Sequence, residues 1–394
     1  MIGPLTTPSI SVLVVIVLSF VGAILSEKLK VSYTTIMILL GLGISILRIG
    51  SGFSSGLPLD RTVILGLVVP PLIFEAAMRT RYDVLRTVKK TVLSLAIFGV
   101  IVSAVLSGFI LSVVVSLPLI AALTFGVIVS PTDPVSVVNV LRRIKAPERL
   151  TTILETEAYL NDATAVILYP IALSLSFSPL QSVSQFVYLF LGGLVVGVVV
   201  SALAEVLYRL ITEPLAETYF TIAVMFGSYV FAESLGASGL VAVAVAGIYM
   251  GNRTMRVAMS KETRRTMTTF WEVITFMATS FAFLLLGLKE DATLLVAFAP
   301  FVIVAFLAIF LGRVLSVYPI VAIVSKLGEK IPNAWTRVLG VAGLRGIISV
   351  ALALSLPETF PRRETIVAMT FGVALLSLTV QGELLQVYVK RLKL

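Results

Sequence analysis

Apolar runs long enough to cross a lipid bilayer recur along almost the whole chain of 394 residues. Hydrophobic residues make up 58% of the sequence, charged residues only 13%, and the mean hydropathy is +1.07. A soluble domain carries about a quarter charged residues, so this chain cannot cover a water-facing surface. Because a spanning helix needs about 20 mostly apolar residues, we predict a single all-α membrane unit over 1–394 with thirteen transmembrane helices. The predicted segments are 8–26, 33–48, 61–78, 91–115, 119–141, 152–176, 183–208, 218–234, 236–251, 266–288, 293–324, 336–356 and 365–388.

Lysine and arginine are distributed unevenly over the loops that join these segments. One side of the predicted membrane carries 23 of the 30 basic residues, the other carries five, and Arg313 and Arg345 lie inside predicted spans. Basic loops stay in the cytoplasm, so we expect a cell-membrane protein with its N-terminus outside and its C-terminus inside. The same asymmetry accounts for the net charge of +9, with lipid rather than nucleic acid as the partner.

The chain contains neither cysteine nor histidine. Disulfides and thiolate metal sites are therefore excluded, and no cofactor is predicted. Since histidine is the usual group that titrates near neutral pH, any response to pH has to come from carboxylates.

Acidic side chains occur inside the apolar region at 130–168, where Asp133, Glu155, Glu157 and Asp162 are found. Charged groups within a bilayer are costly, and they commonly mark a functional site. Pro131 and Pro134 surround Asp133, so segment 5 cannot be one continuous helix. We predict two half-helices that meet at 132–133, where Asp133 either caps the break, balances a helix dipole or coordinates a cation.

Segment 6 carries the second group of polar side chains. Glu157 and Asn161 share one helical face, Ala158 and Asp162 share the adjacent one, and Glu155 lies two turns before Asp162. A face with this many acids has to line a buried ion site or a water-filled funnel. Glu155 is near the end of the segment, so it is interpreted as a funnel residue or simply as a solvated one.

Segment 12 holds the second predicted interruption, at Gly343 and Gly346 around Arg345. Arg345 and the deeply placed Arg313 both require carboxylate partners or carbonyl acceptors. Segments 5 and 12 run in opposite directions. Interrupted segments of opposite direction are typical of inverted-repeat transporters, whose site lies where the broken helices cross.

Six stretches of the sequence resemble those of a known family. They are VSPTDPVSVVNVL with LETEAYLNDATAVILY, PPLIFEAAMRTRYDVLR, LGASGLVAVAVAGIYMGN, FWEVITFMATSFAFLLLGL, LGRVLSVYP and AGLRGIISVALALSLP. The sequence resembles the monovalent cation/proton antiporters of the NhaP type, which are related to the eukaryotic sodium/proton exchangers. The resemblance covers nearly the whole membrane unit. The family fold has thirteen helices with the N-terminus outside, as the segment count and the charge distribution predict independently.

The resemblance implies a role for each polar residue. Asp162, next to Asn161, would carry either the cation or the proton, and Thr132 would provide an oxygen ligand for Na⁺ beside Asp133. Two structural ion pairs would form, Glu157 with Arg313 and Glu75 with Arg345. Residues 91–176 and 293–388 would form the moving ion-carrying bundle, 8–78 and 218–288 the scaffold of a homodimer, and 183–208 a bridging helix.

One position departs from the family pattern. The family usually has serine after the glutamate, and this chain has Ala158 after Glu157. A hydroxyl ligand is therefore missing one turn from Asp162, where a water, Ser130 or Thr156 could substitute. The identity of the preferred cation depends on this position.

The predicted function is electroneutral, alternating-access exchange of Na⁺ or Li⁺ for H⁺, without enzymatic activity. The alternatives are a K⁺/H⁺ antiporter and a sodium-coupled solute symporter of similar fold. An intramembrane aspartyl protease is disfavoured because its characteristic aspartate motifs are missing. A channel is disfavoured because no repeated pore loop or carbonyl filter is visible.

Overall fold

The computed structural model describes residues 7–47, 61–143, 146–174, 178–211, 213–289 and 292–392. Throughout these residues the regular structure is helical, and each of the thirteen predicted segments overlaps a helix. The helices are α1 (Thr7–Leu29), α2 (Tyr33–Ile46), α3 (61–79), α4 (Lys89–Val114), α5a (Leu119–Ile128), α5b (Pro134–Arg143), α6 (Glu148–Leu173) and α7 (Pro179–Tyr208). They continue with α8 (Pro214–Ser234), α9 (239–257), α10 (Lys261–Leu288), α11 (Ala299–Lys326), α12a (Asn333–Val341), α12b (Ile347–Leu354) and α13 (Arg363–Arg391). Short helices at Tyr82–Leu85 and Ala292–Ala297 join longer ones.

Six of the described helices are long and apolar enough to cross a bilayer by themselves: α4, α7, α8, α10, α11 and α13. A 30-residue helix such as α7 is about 45 Å long at 1.5 Å per residue, which exceeds the hydrocarbon thickness. The chain is therefore a multi-pass membrane protein. Many apolar side chains of α1, α7 and α8 face outward, as expected for helices that contact lipid.

The predicted interruptions in segments 5 and 12 are present. Helix α5a ends at Ile128, residues 129–133 are not helical, and α5b begins at Pro134, whose missing N–H is tolerated at a first helical position. Helix α12a ends at Val341, and α12b begins at Ile347 after the non-helical residues 342–346. Sequence therefore identified both of the places where backbone groups need partners outside their own helix.

Packing brings these two interruptions to the centre of the molecule. Helix α5a packs against α4, α6, α12b and α13, while α3, α6 and α10 also contact α12b. A continuous apolar core surrounds them and extends from α2 to α13. The polar residues of the interruptions are thus enclosed by helices and kept away from lipid, as unpaired backbone groups in a membrane require.

Candidate functional site

The two interruptions lie directly against each other. The Asp133 N–H donates to the Leu344 carbonyl at 2.7 Å, so the break in α5 satisfies a carbonyl within the break in α12. In return, the Arg345 guanidinium donates through Nη1 to the carbonyls of Ser130 and Pro131, the latter at 3.2 Å. Arg345 is buried, and its positive charge lies at the C-terminal, negative end of α5a.

Asp133 has two structural functions in addition to any role with ions. Its Oδ2 accepts from the Ser136 N–H at 2.7 Å, which caps the first turn of α5b. Its Cβ would lie 2.9 Å from a Cβ at position 346, so the glycine there is required for the close approach of the two breaks. Capping was one of the roles left open for Asp133, and the geometry includes it.

Asn161 connects the break to helix α6. Its Nδ2 donates to Thr132 Oγ1 at 2.7 Å and to Glu157 Oε1 at 3.0 Å, and its Oδ1 accepts from the Thr132 N–H at 3.0 Å. Both amide hydrogens are thereby engaged with protein atoms. The asparagine positions Thr132 and Glu157, and its carbonyl oxygen is also occupied by a donor.

Glu157 and Arg313 form a buried, bidentate ion pair. Arg313 Nη1 lies 2.7 Å from Glu157 Oε1, and Nη2 lies 2.9 Å from Oε2. Arg313 Nε also donates to the Leu339 carbonyl at 3.2 Å, near the end of α12a. The pair therefore joins α6, α11 and α12a next to the predicted ion site.

Asp162 lies beside this network with only 3% of its surface exposed. No hydrogen bond or ion pair to its carboxylate is found within the described residues. It lines a small cavity of about 20 Å³, together with Thr132, Asp133 and Gly346. That volume holds about one water-sized occupant, and two aspartates and a threonine are among the residues that line it.

Comparisons with known proteins identify the family of the chain. The family described as "Sodium/hydrogen exchanger, transmembrane" matches residues 15–391 of the chain. The chain belongs to the sodium/hydrogen exchanger family. It is accordingly a transporter rather than an enzyme, with Na⁺ as a transported ion and no cofactor.

Relatives of this exchanger share about a third of its residues. The Na(+)/H(+) antiporter NhaS2 of Synechocystis sp. is 32% identical over 99% of the chain and 72% of its own length. The Na(+)/H(+) antiporter ApNhaP of Aphanothece halophytica is 34% identical over 93% of the chain and 70% of its length. The fold is similar to that of the sodium proton antiporter MjNhaP1 of Methanocaldococcus jannaschii, with a TM-score of 0.79 over 98% of the chain, 99% of MjNhaP1 and 22% identity.

The structure of the exchanger does not form the predicted pair of Glu75 with Arg345. Glu75 instead pairs with Arg79, one helical turn away on α3. Arg345 is directed toward carbonyls of the α5 break, because a guanidinium at the end of a half-helix compensates several carbonyl dipoles at once. The charge of Arg345 is thus compensated by backbone carbonyls. Carbonyl acceptors and carboxylate partners were the two alternatives expected for a buried arginine.

Two other predicted residues of the exchanger lie as follows. Glu155 lines a wider cavity of about 200 Å³, which is adjacent to the small cavity that Asp162 lines. Ala158 is buried, and the Ser130 hydroxyl donates to Val127 O at 2.7 Å. The Ser130 carbonyl is also engaged, since it accepts from Arg345.

Sequence reasoning missed the residues of α13 that support the break in α12. Gln381 Nε2 donates to Val341 O at 2.8 Å, and Ser377 Oγ accepts from the Arg345 N–H at 2.9 Å. Both residues lie in a π-helical turn at Ser377–Gln381, and the Ser377 hydroxyl donates to Gln381 Oε1. The available signal was the spacing of Ser377 and Gln381, two polar residues four apart on one helical face of segment 13.

Proposed function

We propose that this exchanger moves Na⁺ or Li⁺ against H⁺ across the cell membrane, with Asp162 binding either the cation or the proton. The observation that carries the proposal is the Asp162 carboxylate, which is buried at a small cavity between two helix breaks and has no partner among the residues that the structure describes. Every other acid of the inner network has a partner, Glu157 in Arg313 and Asp133 in the Ser136 N–H. The names of the relatives, Na(+)/H(+) antiporters, support the same choice.

The surroundings of Asp162 suit a small hard cation. Thr132 and Asp133 are among the residues that line the same cavity, and hydroxyl and carboxylate oxygens are ligands that Na⁺ and Li⁺ accept. Asn161 and Glu157 hold Thr132 in place and act as positioning residues rather than direct ligands. A proton bound to Asp162 removes the charge that attracts the cation, so the two ions compete for one carboxylate.

The proposed architecture follows the prediction from sequence. It has thirteen spans with the N-terminus outside, and α5 and α12 are the crossed broken helices of two inverted repeats. Residues 91–176 and 293–388 form the moving bundle, 8–78 and 218–288 form the scaffold of a homodimer, and 183–208 bridges them. The mutual hydrogen bonds of the two breaks, which lie within the proposed bundle, support its movement as one body.

Reconstitution in liposomes with an imposed pH gradient tests the function. Addition of Na⁺ or Li⁺ is expected to dissipate the gradient, and the Asp162→Asn variant is expected to lose at least 90% of that rate because it can neither bind a proton nor attract a cation. The matched control is Asp83→Asn, at an exposed aspartate that pairs with Arg81 outside the spans. Normal transport by Asp162→Asn would refute the assignment, and a preference for K⁺ would make the protein a K⁺/H⁺ antiporter.

The proposed stoichiometry is one cation for one proton, because a single carboxylate serves both ions. The rate of Na⁺-driven gradient dissipation should then remain the same when a potassium diffusion potential of either sign is imposed with valinomycin. A rate that follows the imposed potential would show that a second acid, with Asp133 as the nearest candidate, also titrates during the cycle.

A further inference from the structure

A second, wider cavity lies next to the site at Asp162. Its volume is about 200 Å³, and residues of α2, α3, α5b, α6 and α10 line it. Three of the lining residues, Leu72, Pro134 and Val135, also line the small cavity that contains Asp162. The two cavities are thus adjacent, and the wider one is open to water, since the Glu272 side chain that lines it is half-exposed.

Three carboxylates line this wide cavity: Glu75 on α3, Glu155 on α6 and Glu272 on α10. These acids differ in exposure. The Glu272 side chain is 51% exposed and that of Glu75 is 15% exposed, whereas Asp162 is 3% exposed. The acids of the wide cavity are therefore more accessible to water than Asp162 is.

Among the described residues that line the wide cavity, Arg79 is the one with a positively charged side chain. Its Nη2 lies 2.8 Å from Glu272 Oε1, and its Nε pairs with Glu75. The guanidinium thereby bridges α3 and α10 and binds two of the three acids that an arriving cation would meet. The Arg79 side chain is 26% exposed, between the values for its two partners.

We propose that the positively charged side chain of Arg79 competes with the transported ion for the carboxylates of the wide cavity. This inference rests on the proposed function of Asp162 and deepens it. A guanidinium bound to Glu75 and Glu272 reduces the negative potential of the cavity and hence the local concentration of cations. Arg79 therefore sets the Na⁺ concentration at which the exchanger becomes half-saturated.

The rival interpretation is that Arg79 has only a structural role, in which its ion pairs link α3 to α10. The two roles make different demands on the side chain. A structural link depends on the hydrogen-bond geometry of the guanidinium, which lysine cannot reproduce at a site that binds two carboxylates. A competing charge depends on the positive charge alone, which lysine retains and which added salt screens.

The experiment compares Arg79→Gln and Arg79→Lys in the liposome assay, with the Michaelis constant for Na⁺ as the readout. Arg79→Gln is expected to lower this constant about three- to tenfold, the effect of removing one charge at about 10 Å in a partly hydrated cavity. The difference from the unmodified protein should decrease when choline chloride is raised to about 0.5 M. Arg79→Lys should remain within about twofold of the unmodified protein.

The matched control is Arg81→Gln, two residues further along the chain. Arg81 pairs with Asp83 and Glu148 and does not line the wide cavity, so the same loss of charge should leave the Michaelis constant unchanged. If Arg79→Gln cannot be purified as a folded protein, Glu272→Gln provides a second test. It removes an acid from the cavity and should raise the Michaelis constant, and an unchanged constant would overturn the proposal.

An unchanged or raised Michaelis constant in Arg79→Gln would overturn the proposal, as would an Arg79→Lys variant that behaves like Arg79→Gln. These failures differ from a failure of the proposed function. Unmodified protein that moves no monovalent cation against protons would refute antiport itself, and the Arg79 role would fall with it. Normal exchange by the unmodified protein with an unchanged Arg79→Gln variant would refute only the role of Arg79.

Discussion

Asp133 and Asp162 are both buried aspartates, yet they differ in the groups around them. Asp133 is held by a backbone N–H of α5b, and its own N–H is bound to Leu344 O. Asp162 has no such donor within the described residues, although it lines the same small cavity. An acid that is already capped exchanges its partner at a cost, whereas an acid without a donor is free to bind ions. At the scale of residues, this difference is the reason for proposing Asp162, rather than Asp133, as the exchanging acid.

The Glu157–Arg313 pair leads to a prediction about stability. Removal of either charge leaves the other buried and uncompensated, which typically costs about 3–5 kcal/mol. Arg313→Leu and Glu157→Leu should each lower the thermal unfolding midpoint of the detergent-solubilised protein. The double variant should be destabilised less than the sum of the two single variants, because it leaves no isolated charge.

Two outcomes would contradict this prediction. Additive losses in the double variant would show that the two side chains do not act as a pair. A folded Arg313→Leu protein with an unchanged unfolding midpoint and no transport would instead assign Arg313 a direct part in ion movement.

Interrupted helices require support from their neighbours, and the two interruptions here obtain it differently. The break in α5 receives its support from Arg345 and Asn161. The break in α12 receives it from Asp133 and from Gln381 on α13. Each buried carbonyl or N–H left without a partner would cost about 1–3 kcal/mol, so these contacts are necessary for the fold as well as for the site.

The crossing of α2 and α10 gives a prediction at the scale of helices. A Cβ at Gly287 would clash with Ile38 O, and a Cβ at Gly41 would clash with Leu284 O, so the two backbones touch at this point. Gly287→Ala should therefore separate the helices and destabilise the protein by about 1–3 kcal/mol. Thermal unfolding of the purified protein measures the effect.

The control for this substitution is Gly43→Ala on α2, the helix that α10 crosses at this point. No atom lies within 4 Å of a Cβ at that position, so only the helix propensity changes, and it favours alanine by up to about 1 kcal/mol. The prediction is wrong if Gly287→Ala unfolds at the same temperature as Gly43→Ala.

The distribution of charge over the whole molecule determines its predicted orientation. The chain contains no cysteine, so single cysteines can be introduced without altering a native thiol. In intact cells, a membrane-impermeant maleimide should label Glu358→Cys, which lies between segments 12 and 13, and should leave Arg86→Cys unlabelled. Both positions are exposed on the protein, so access depends on the side of the membrane.

Labelling of both variants after permeabilisation with detergent is the control for accessibility. Modification of Arg86→Cys in intact cells would reverse the orientation, and with it the side on which the wide cavity opens.

The sequence alone determined the helical membrane class, the segment positions and both helix interruptions. These follow from local rules: apolar length sets a span, and proline or glycine removes helical hydrogen bonds wherever it stands. Sequence also predicted a site at Asp133, Glu157, Asn161 and Asp162, because polar and acidic groups in apolar segments are costly anywhere along the chain. The structure places these residues close together.

Only the tertiary structure decided which charge meets which partner. Arg345 could have met a carboxylate or carbonyls, and packing placed it at the end of α5a, while Glu75 remained with Arg79. Gln381 and Ser377 became supports of a break some 40 residues away. Such pairings depend on distances between helices that are remote in sequence, and the spacing of residues along one helix contains no information about them.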